Sequence, residues 1–277
     1  MLKHFWQAIA EEMNFILALT KRLKTVDGAV FVQCFLVIGA IVVWIVLGHQ
    51  LPEAIFASPL ETAEAFFLML GDYRRDYAVA TINSLGIFIG GFCIAVMIGT
   101  ALSLAMSAWP VLGRALTPML DLLASVPNIA FMPLIVAFLG LGLEPKMMIV
   151  FLAAVVPITI NSHAAIRQVD PSLTEAAMTL GATRLTALRK IIWPSALPAI
   201  NAGFRIGATQ ALTACVIAEL YTAMTGLGGL LSGYSNGFNM PRYFVTVITL
   251  ALIGIFSTFL LRLIERRITK HLIGITL

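Results

Sequence analysis

The chain has 277 residues, 60% of them hydrophobic and only 12% charged, and carries a net charge of +4. Its mean hydropathy is +0.95. Soluble domains carry about 25% charged residues, and no water-soluble fold of this size hides so much apolar surface. The composition therefore excludes a soluble enzyme or binding module and defines an integral membrane protein.

Leu2, Phe5, Trp6, Ile9, Met13, Ile16 and Leu17 fall on one side of a helix over residues 1–24, against Lys3, Gln7, Glu11 and Asn14. That pattern predicts an amphipathic helix lying along the inner membrane surface, within an N-terminal part that ends at residue 28. The apolar run beginning near Ala29 starts too late and runs too long for a signal peptide, so it is expected to be a retained span. Six runs reach the roughly 20 apolar residues that a crossing helix needs: 29–48, 79–107, 117–142, 147–166, 195–223 and 242–264. Within lipid each segment has to satisfy its own backbone polar groups, which forces helices. The alternating strands of a membrane barrel are not present in the sequence. Residues 29–277 thus form one all-α domain of six transmembrane helices. Outside the lipid, "SPLETAEAFFLML" predicts a short helix over Pro59–Leu70, with Ser58 as cap and Pro59 in the first turn.

With the N-terminus inside, the inner segments hold 13 Lys and Arg residues and the outer segments 4 (Arg74, Arg75, Lys146 and Arg242), with Arg205 inside a span. Positive charge marks the cytosolic side, so both termini are expected there. The same placement explains the basic balance without a nucleic-acid partner.

Several spans carry internal signals. The second contains Gly86-x-x-x-Gly90, Gly91 and Gly99; small residues let helices approach closely, within the chain or between two copies. The third contains Pro127 and Pro133 around Asn128, and the fourth contains Pro157. Each proline removes a backbone donor. Either these are simple kinks or the helices bend where they line a path.

Residues 167–194 read "RQVDPSLTEAAMTLGATRLTALRKIIWP", a polar interruption between greasy runs. Asp170-Pro171 is a helix-start signature, and Ser172-x-x-Glu175 offers an alternative capping box. Gly181 is expected to end the first helix. Thr183 starts a second, which runs through Arg189 and Lys190 until Pro194 opens the fifth span. Leu173, Ala176, Ala177 and Leu180 recur at helical spacing as a small, apolar face. A face of this kind, offered to water, suits a groove in another protein. Glu175 either caps backbone donors, the favoured reading, or faces the partner.

This stretch resembles the Glu-Ala-Ala loop of bacterial ABC importer permeases. Glu175, Ala176, Ala177, Gly181, Ile191 and Pro194 match the family's spacing, while Trp193 stands where the family usually has Leu. "VPNIAFMPLIVAFLGLG", "LPAINAGFRIGATQAL" and "AELYTAMTGLGGLL" extend the resemblance to the branch that carries nitrate, sulfonates, taurine, bicarbonate and similar solutes. The resemblance implies a type I importer fold in the bacterial inner membrane, working by alternating access. Two permeases, a pair of copies or a copy and a homologue, surround one path. Each presents this loop to one of two cytosolic ATPases, which bind the ATP and Mg. A periplasmic or lipid-anchored binding protein delivers the solute. The coupling residues would be Leu173, Glu175, Ala176, Ala177, Leu180 and Gly181.

No Gly-x-x-x-x-Gly-Lys-Ser/Thr phosphate loop occurs in the sequence, so energy has to come from a partner. Neither the three single cysteines nor the four scattered histidines form a metal-binding spacing, and no cofactor or catalytic group is expected in the chain. A stand-alone secondary transporter or channel is the alternative, but it would show inverted repeats and leaves the polar segment unexplained. A membrane enzyme would need clustered acids, bases or nucleophiles.

Charged residues in lipid cost roughly 2.5–3.5 kcal/mol on insertion scales, so each in-span polar group requires a reason. Asn201, Arg205 and Glu219 fall within about 40° on a helical wheel, with Thr209 and Thr213 further round. Together with Asp121 and Asn128 they are candidates for a path or gate. Arg205 either lines the path or pairs with Asp121. Glu219, near the outer end, is expected at an outer gate or at the binding-protein surface, beside a Gly-rich loop, "TGLGGLLSGYSNG".

Overall fold

A computed structural model of the chain describes residues 30–71, 73–222 and 225–273. The amphipathic helix expected over 1–24 lies outside the described residues. Among those described, every regular element is helical. Four uninterrupted helices are long and apolar enough to cross a membrane: α1 (Val30–Gln50), α3 (Arg74–Ala108), α6 (Leu143–Arg167) and α11 (Met240–Ile273). Two bent pairs bring the crossings to six. One joins α4 (Pro110–Ser125), a 3-10 turn (Asn128–Phe131) and α5 (Met132–Leu139). The other joins α9 (Trp193–Tyr221) and α10 (Gly226–Asn236). Three short elements stand outside this set: α2 (Pro59–Gly71), α7 (Pro171–Thr179) and α8 (Arg184–Ala187).

The core lies where α6 runs between α3 and α9. Ile87, Phe88 and Ala95 of α3, Val150, Ala154 and Ile158 of α6, and Ala208, Ala211 and Cys215 of α9 form one buried cluster. Small residues set the spacing. A Cβ on Gly91 would stand 2.7 Å from Val150 Cβ, and one on Gly99 would stand 2.9 Å from Ile158 Cγ2. Gly91 and Gly99 are thus contact points between helices of one chain. Gly86, the first glycine of the GxxxG pattern, faces open space. At the α2 end, Ala65, Met69, Tyr77, Leu227 and Val245 close a second cluster, where the Tyr77 and Thr249 hydroxyls hydrogen-bond across α3 and α11.

α1 stands apart, with almost every described side chain exposed. It is fastened near one end: Trp44 stacks on Phe244 with ring centroids 5.8 Å apart, and Trp44 Nε1 donates to the Ala57 carbonyl at 2.9 Å. At α2 Ser58 caps the helix as the sequence predicts, and Glu61 completes a capping box that was not expected. Ser58 N–H donates to Glu61 Oε2 at 2.7 Å, and Ser58 Oγ accepts from Glu61 N–H at 3.3 Å, satisfying two free donors reciprocally.

The third crossing, expected over 117–142 with a kink or bend at its prolines, is broken outright at Pro127. Helix α4 begins earlier, at Pro110, and the chain turns by 87° between α4 and the 3-10 turn. A residue before proline is pushed out of the helical region. Val126 accordingly sits at φ −87°, ψ 127°, and Pro127 stays extended as well. Pro133 falls in the first turn of α5, where its missing donor is harmless.

The entry to the fifth crossing also differs from expectation. No break occurs at Pro194. Helix α8 passes through a π turn, Leu188–Ile192, straight into α9. In a regular helix the Pro194 ring would clash with the carbonyl four residues back. The wider turn, in which Trp193 N–H donates to the Leu188 carbonyl, absorbs that clash.

The packing makes one contrast testable. Gly91→Val should lower stability by about 1–3 kcal/mol through overpacking, seen as a lower melting temperature in detergent, whereas Gly86→Ala should leave the melt unchanged.

Candidate functional site

Three features could serve transport: the capped segment α7, a cavity at the α4–α5 break, and a buried polar node at the opposite end.

Helix α7 is defined by its caps. Asp170 Oδ1 accepts from the Ser172 N–H at 2.9 Å, with Pro171 in the first turn. This backbone hydrogen bond holds the Asp170 carboxyl below the usual carboxylate range. A depressed carboxylate stabilises the folded form at pH above its unfolded value and loses that contribution as pH falls through the folded one. The cap is therefore fully present at neutral pH and lost only in acid. At the other end Gly181 takes φ +84°. Its N–H donates to the Met178 carbonyl at 3.0 Å, and the Ala182 N–H donates to the Ala177 carbonyl at 3.0 Å. This is a complete Schellman closure. A Cβ on Gly181 would meet nothing within 4 Å, so only the backbone conformation requires glycine there. Thr183 Oγ1 accepts from the Thr186 N–H at 3.3 Å and caps α8.

The predicted docking face is partly redrawn. Leu180 is 89% exposed and Leu173 42%, and Ala176 and Glu175 are also open. Ala177 is 4% exposed: it packs inward, because α7 lies against α8 and the π turn. Met178 and Leu185 take its place among the exposed apolar side chains. The expected cap by Glu175 does not form, since Asp170 occupies that role. The Glu175 carboxylate makes no hydrogen bond among the described residues and lines a cavity behind α7.

The break between α4 and the 3-10 turn opens a cavity of about 490 Å³. Ser125, Asn128, Asn161 and Gln210 supply its polar lining, with Ala153 and Pro157 beside them. Pro157 has no N–H to donate to the Ala153 carbonyl four residues back, so helix α6 lacks one regular backbone bond next to this space. Asn161 Nδ2 donates to the Pro157 carbonyl at 2.7 Å. Of the path residues expected from sequence, Asn128 lines this cavity. Asp121, Thr209 and Thr213 are exposed elsewhere on α4 and α9, and both threonine hydroxyls bond back to carbonyls one turn earlier at 3.1 Å. Asn161 and Gln210 were not singled out from sequence, although both are amides inside apolar runs.

Arg205 does not pair with Asp121. Its Nη1 donates to Glu265 Oε2, and Asn201 Nδ2 donates to the Leu261 carbonyl at 2.7 Å. These bonds tie α9 to α11, its packing neighbour along this stretch. Glu265 lies one residue beyond the expected end of the sixth span, which hid it as a partner.

Glu219 is neither a free gate nor a surface group: it is fully buried. Its Oε1 accepts from Ser84 Oγ at 2.6 Å and its Oε2 from the Gly228 N–H at 2.8 Å. Ser84 Oγ in turn accepts from the Leu227 N–H at 2.8 Å. The expected Gly-rich loop is therefore helix α10, and its first free donors are capped by side chains of α3 and α9. A carboxylate at a helix N-terminus is favourably placed. Lys146, counted from sequence among the outer loop charges, is 3% exposed and donates to Thr225 Oγ1 at 2.5 Å beside this node. Gly226, at φ +80°, has no room for a side chain, since a Cβ would lie 2.0 Å from Glu219 Oε1.

Broken helices, a polar cavity beside one of the breaks and a short capped helix outside the spans describe a polytopic membrane protein. Comparison with known proteins agrees. Residues 95–270 match the family described as the inner membrane component of binding-protein-dependent transport systems. A taurine transport system permease of Escherichia coli is 31% identical over 63% of this chain and 64% of its own length. A riboflavin transport system permease of Chloroflexus aurantiacus is 36% identical over 57% of this chain and 59% of its own. An inward-facing structure of the MetNI methionine ABC transporter superposes with a TM-score of 0.59 at 20% identity, covering 72% of this chain and 97% of that one. The chain belongs to this family and is the membrane-spanning permease subunit of a type I ABC importer.

The polar node separates buried from exposed polar groups. Glu219→Ala leaves the buried Ser84 hydroxyl and the Gly228 N–H without their acceptor, so it should cost about 2–4 kcal/mol. Thr209→Ala, on an open face, should stay within about 0.5 kcal/mol. Thermal melts in detergent measure both.

Proposed function

We propose that this permease imports a small anionic solute, such as a sulfonate, taurine, nitrate or bicarbonate, by alternating access driven by two cytosolic ATPases. The observation that carries the substrate class is the 490 Å³ cavity at the α4–α5 break. Its polar lining consists of a hydroxyl and three amides, and neither a carboxylate nor a cation lies among its lining residues. Neutral donors solvate an oxyanion without trapping it, which suits passage: binding has to be strong enough to enter and weak enough to leave. The relative named for taurine supports the same class. Asn128 comes from the expected path set, and Ser125, Asn161 and Gln210 join it. Thr209 and Thr213, on the open face of α9, and Asp121 on α4 would look toward a second permease copy across the path.

Coupling is assigned to α7. Leu173, Ala176 and Leu180 face outward for an ATPase groove, Glu175 lies on the side of the cavity behind the helix, and Ala177 and Gly181 fix the helix in shape. ATP and Mg would bind to the ATPases, and a periplasmic or lipid-anchored binding protein would deliver the solute at the α2 and α10 end. The excess of Lys and Arg at the α7 end supports cytosolic termini, with residues 1–28 on the inner surface and 29–277 forming the permease domain.

Reconstitution with the partner ATPase and binding protein tests the whole reading. Uptake of taurine or an alkanesulfonate should require ATP. Transport without nucleotide, or uptake of riboflavin in place of the anions, overturns it. Leu180→Glu should reduce ATP-dependent uptake at least about tenfold, a loss of ~1.4 kcal/mol or more, with normal membrane insertion. A cysteine replacing Thr186 should react with an impermeant maleimide only from the cytosolic side.

A further inference from the structure

A second and larger cavity, about 1020 Å³, lies at the α7 end between the start of α4, the end of α6 and α7 itself. The importer reading gives it no task. Met106, Ile166 and Ile192 contribute apolar wall, and Arg114 and Arg167 line the same space. Both arginines are exposed. Neither guanidinium has a carboxylate within ion-pair distance among the described residues, although Glu175 also lines the cavity. Two unpaired guanidinium groups facing one space repel each other and call for an anion. The guanidinium fork fits phosphate oxygens bidentately.

Pro110, which opens α4, lines the cavity. His163 also lines the space, its Nδ1 3.0 Å from Ser107 Oγ. That hydroxyl also bonds to the Ser103 carbonyl at 2.8 Å, and Nε2 has no hydrogen-bond partner among the described residues. Trp109, 64% exposed, has the character of an aromatic side chain at a membrane–water boundary.

We propose that this cavity holds the headgroup of an anionic phospholipid, with its phosphate between Arg114 and Arg167 and its glycerol and upper acyl chain along the apolar wall. A free phosphate or sulfate ion would satisfy the arginines and leave most of the apolar volume empty, whereas a phospholipid fills both parts. The proposal rests on the reading that places the α7 end at the cytosolic membrane surface. Pro171, Thr174 and Glu175 of α7 line the same space, so the bound lipid braces the docking helix against α4 and α6.

The test uses the full-length permease, purified and delipidated, with phosphatidylglycerol and phosphatidylcholine of identical acyl chains titrated in native mass spectrometry. Wild type should retain phosphatidylglycerol at least about fivefold better, the scale expected for one or two basic groups at a membrane surface. The double variant Arg114→Gln/Arg167→Gln should bind both lipids equally, Arg114→Lys/Arg167→Lys should keep part of the preference, and Arg262→Gln/Arg266→Gln should keep all of it. Equal binding of both lipids by wild type overturns the proposal. So does a preference that survives the Arg114 and Arg167 double variant. Displacement of phosphatidylglycerol by millimolar inorganic phosphate also overturns it, because the site would then belong to a free oxyanion. The readout needs no ATP, so a failure of the importer reading appears separately, in the uptake assay.

Discussion

A backbone group released from a helix inside a membrane has to find another partner, because lipid offers none. The fold is organised around the places where this happens. At the α9–α10 junction, Glu219 and Ser84 take over the free donors that open α10. At Pro157 a helix bond cannot form, and a polar cavity stands beside it. At Pro194 a π turn rearranges the bonding so that the helix continues. The same constraint therefore has three outcomes: a lock, an opening and a continuous rod.

These outcomes divide the polar residues of the spans into two groups with different work. Glu219, Lys146, Asn201 and Arg205 are bonded to specific neighbours and hold helices in place. Ser125, Asn128, Asn161 and Gln210 face open space. The charged residues all fall in the first group, beside the amide Asn201, and the second group is neutral throughout. A buried charge needs fixed partners to offset its desolvation, while a path has to release whatever it binds.

Much of this was legible in the sequence. Run lengths located the six crossings, because lipid thickness sets a minimum length, although α4 begins before and α11 ends beyond the expected bounds. Caps at Ser58, Asp170, Gly181 and Thr183 were visible because each depends on residue type within one turn. What the sequence concealed was tertiary. Helical spacing grouped Ala177 with Leu180 but could not show that α8 and the π turn lie beneath it. Wheel geometry grouped Arg205 with Glu219, whereas their partners come from α11 and α3. The glycines of "TGLGG" suggested a loop because glycine breaks isolated helices. In the structure they admit a carboxylate where no side chain fits, and the helix is held by groups 9 and 143 residues away in sequence.

The continuity from α8 through the π turn into α9 has a mechanical meaning. Residues Arg184 to Tyr221 form one unbroken helical shaft. Helix α7 joins one end of it through the turn at Gly181, and Glu219 sits near its other end, bonded to the start of α10. Under the proposed coupling, a push on α7 would enter this continuous helix rather than a flexible linker and would be carried toward the start of α10.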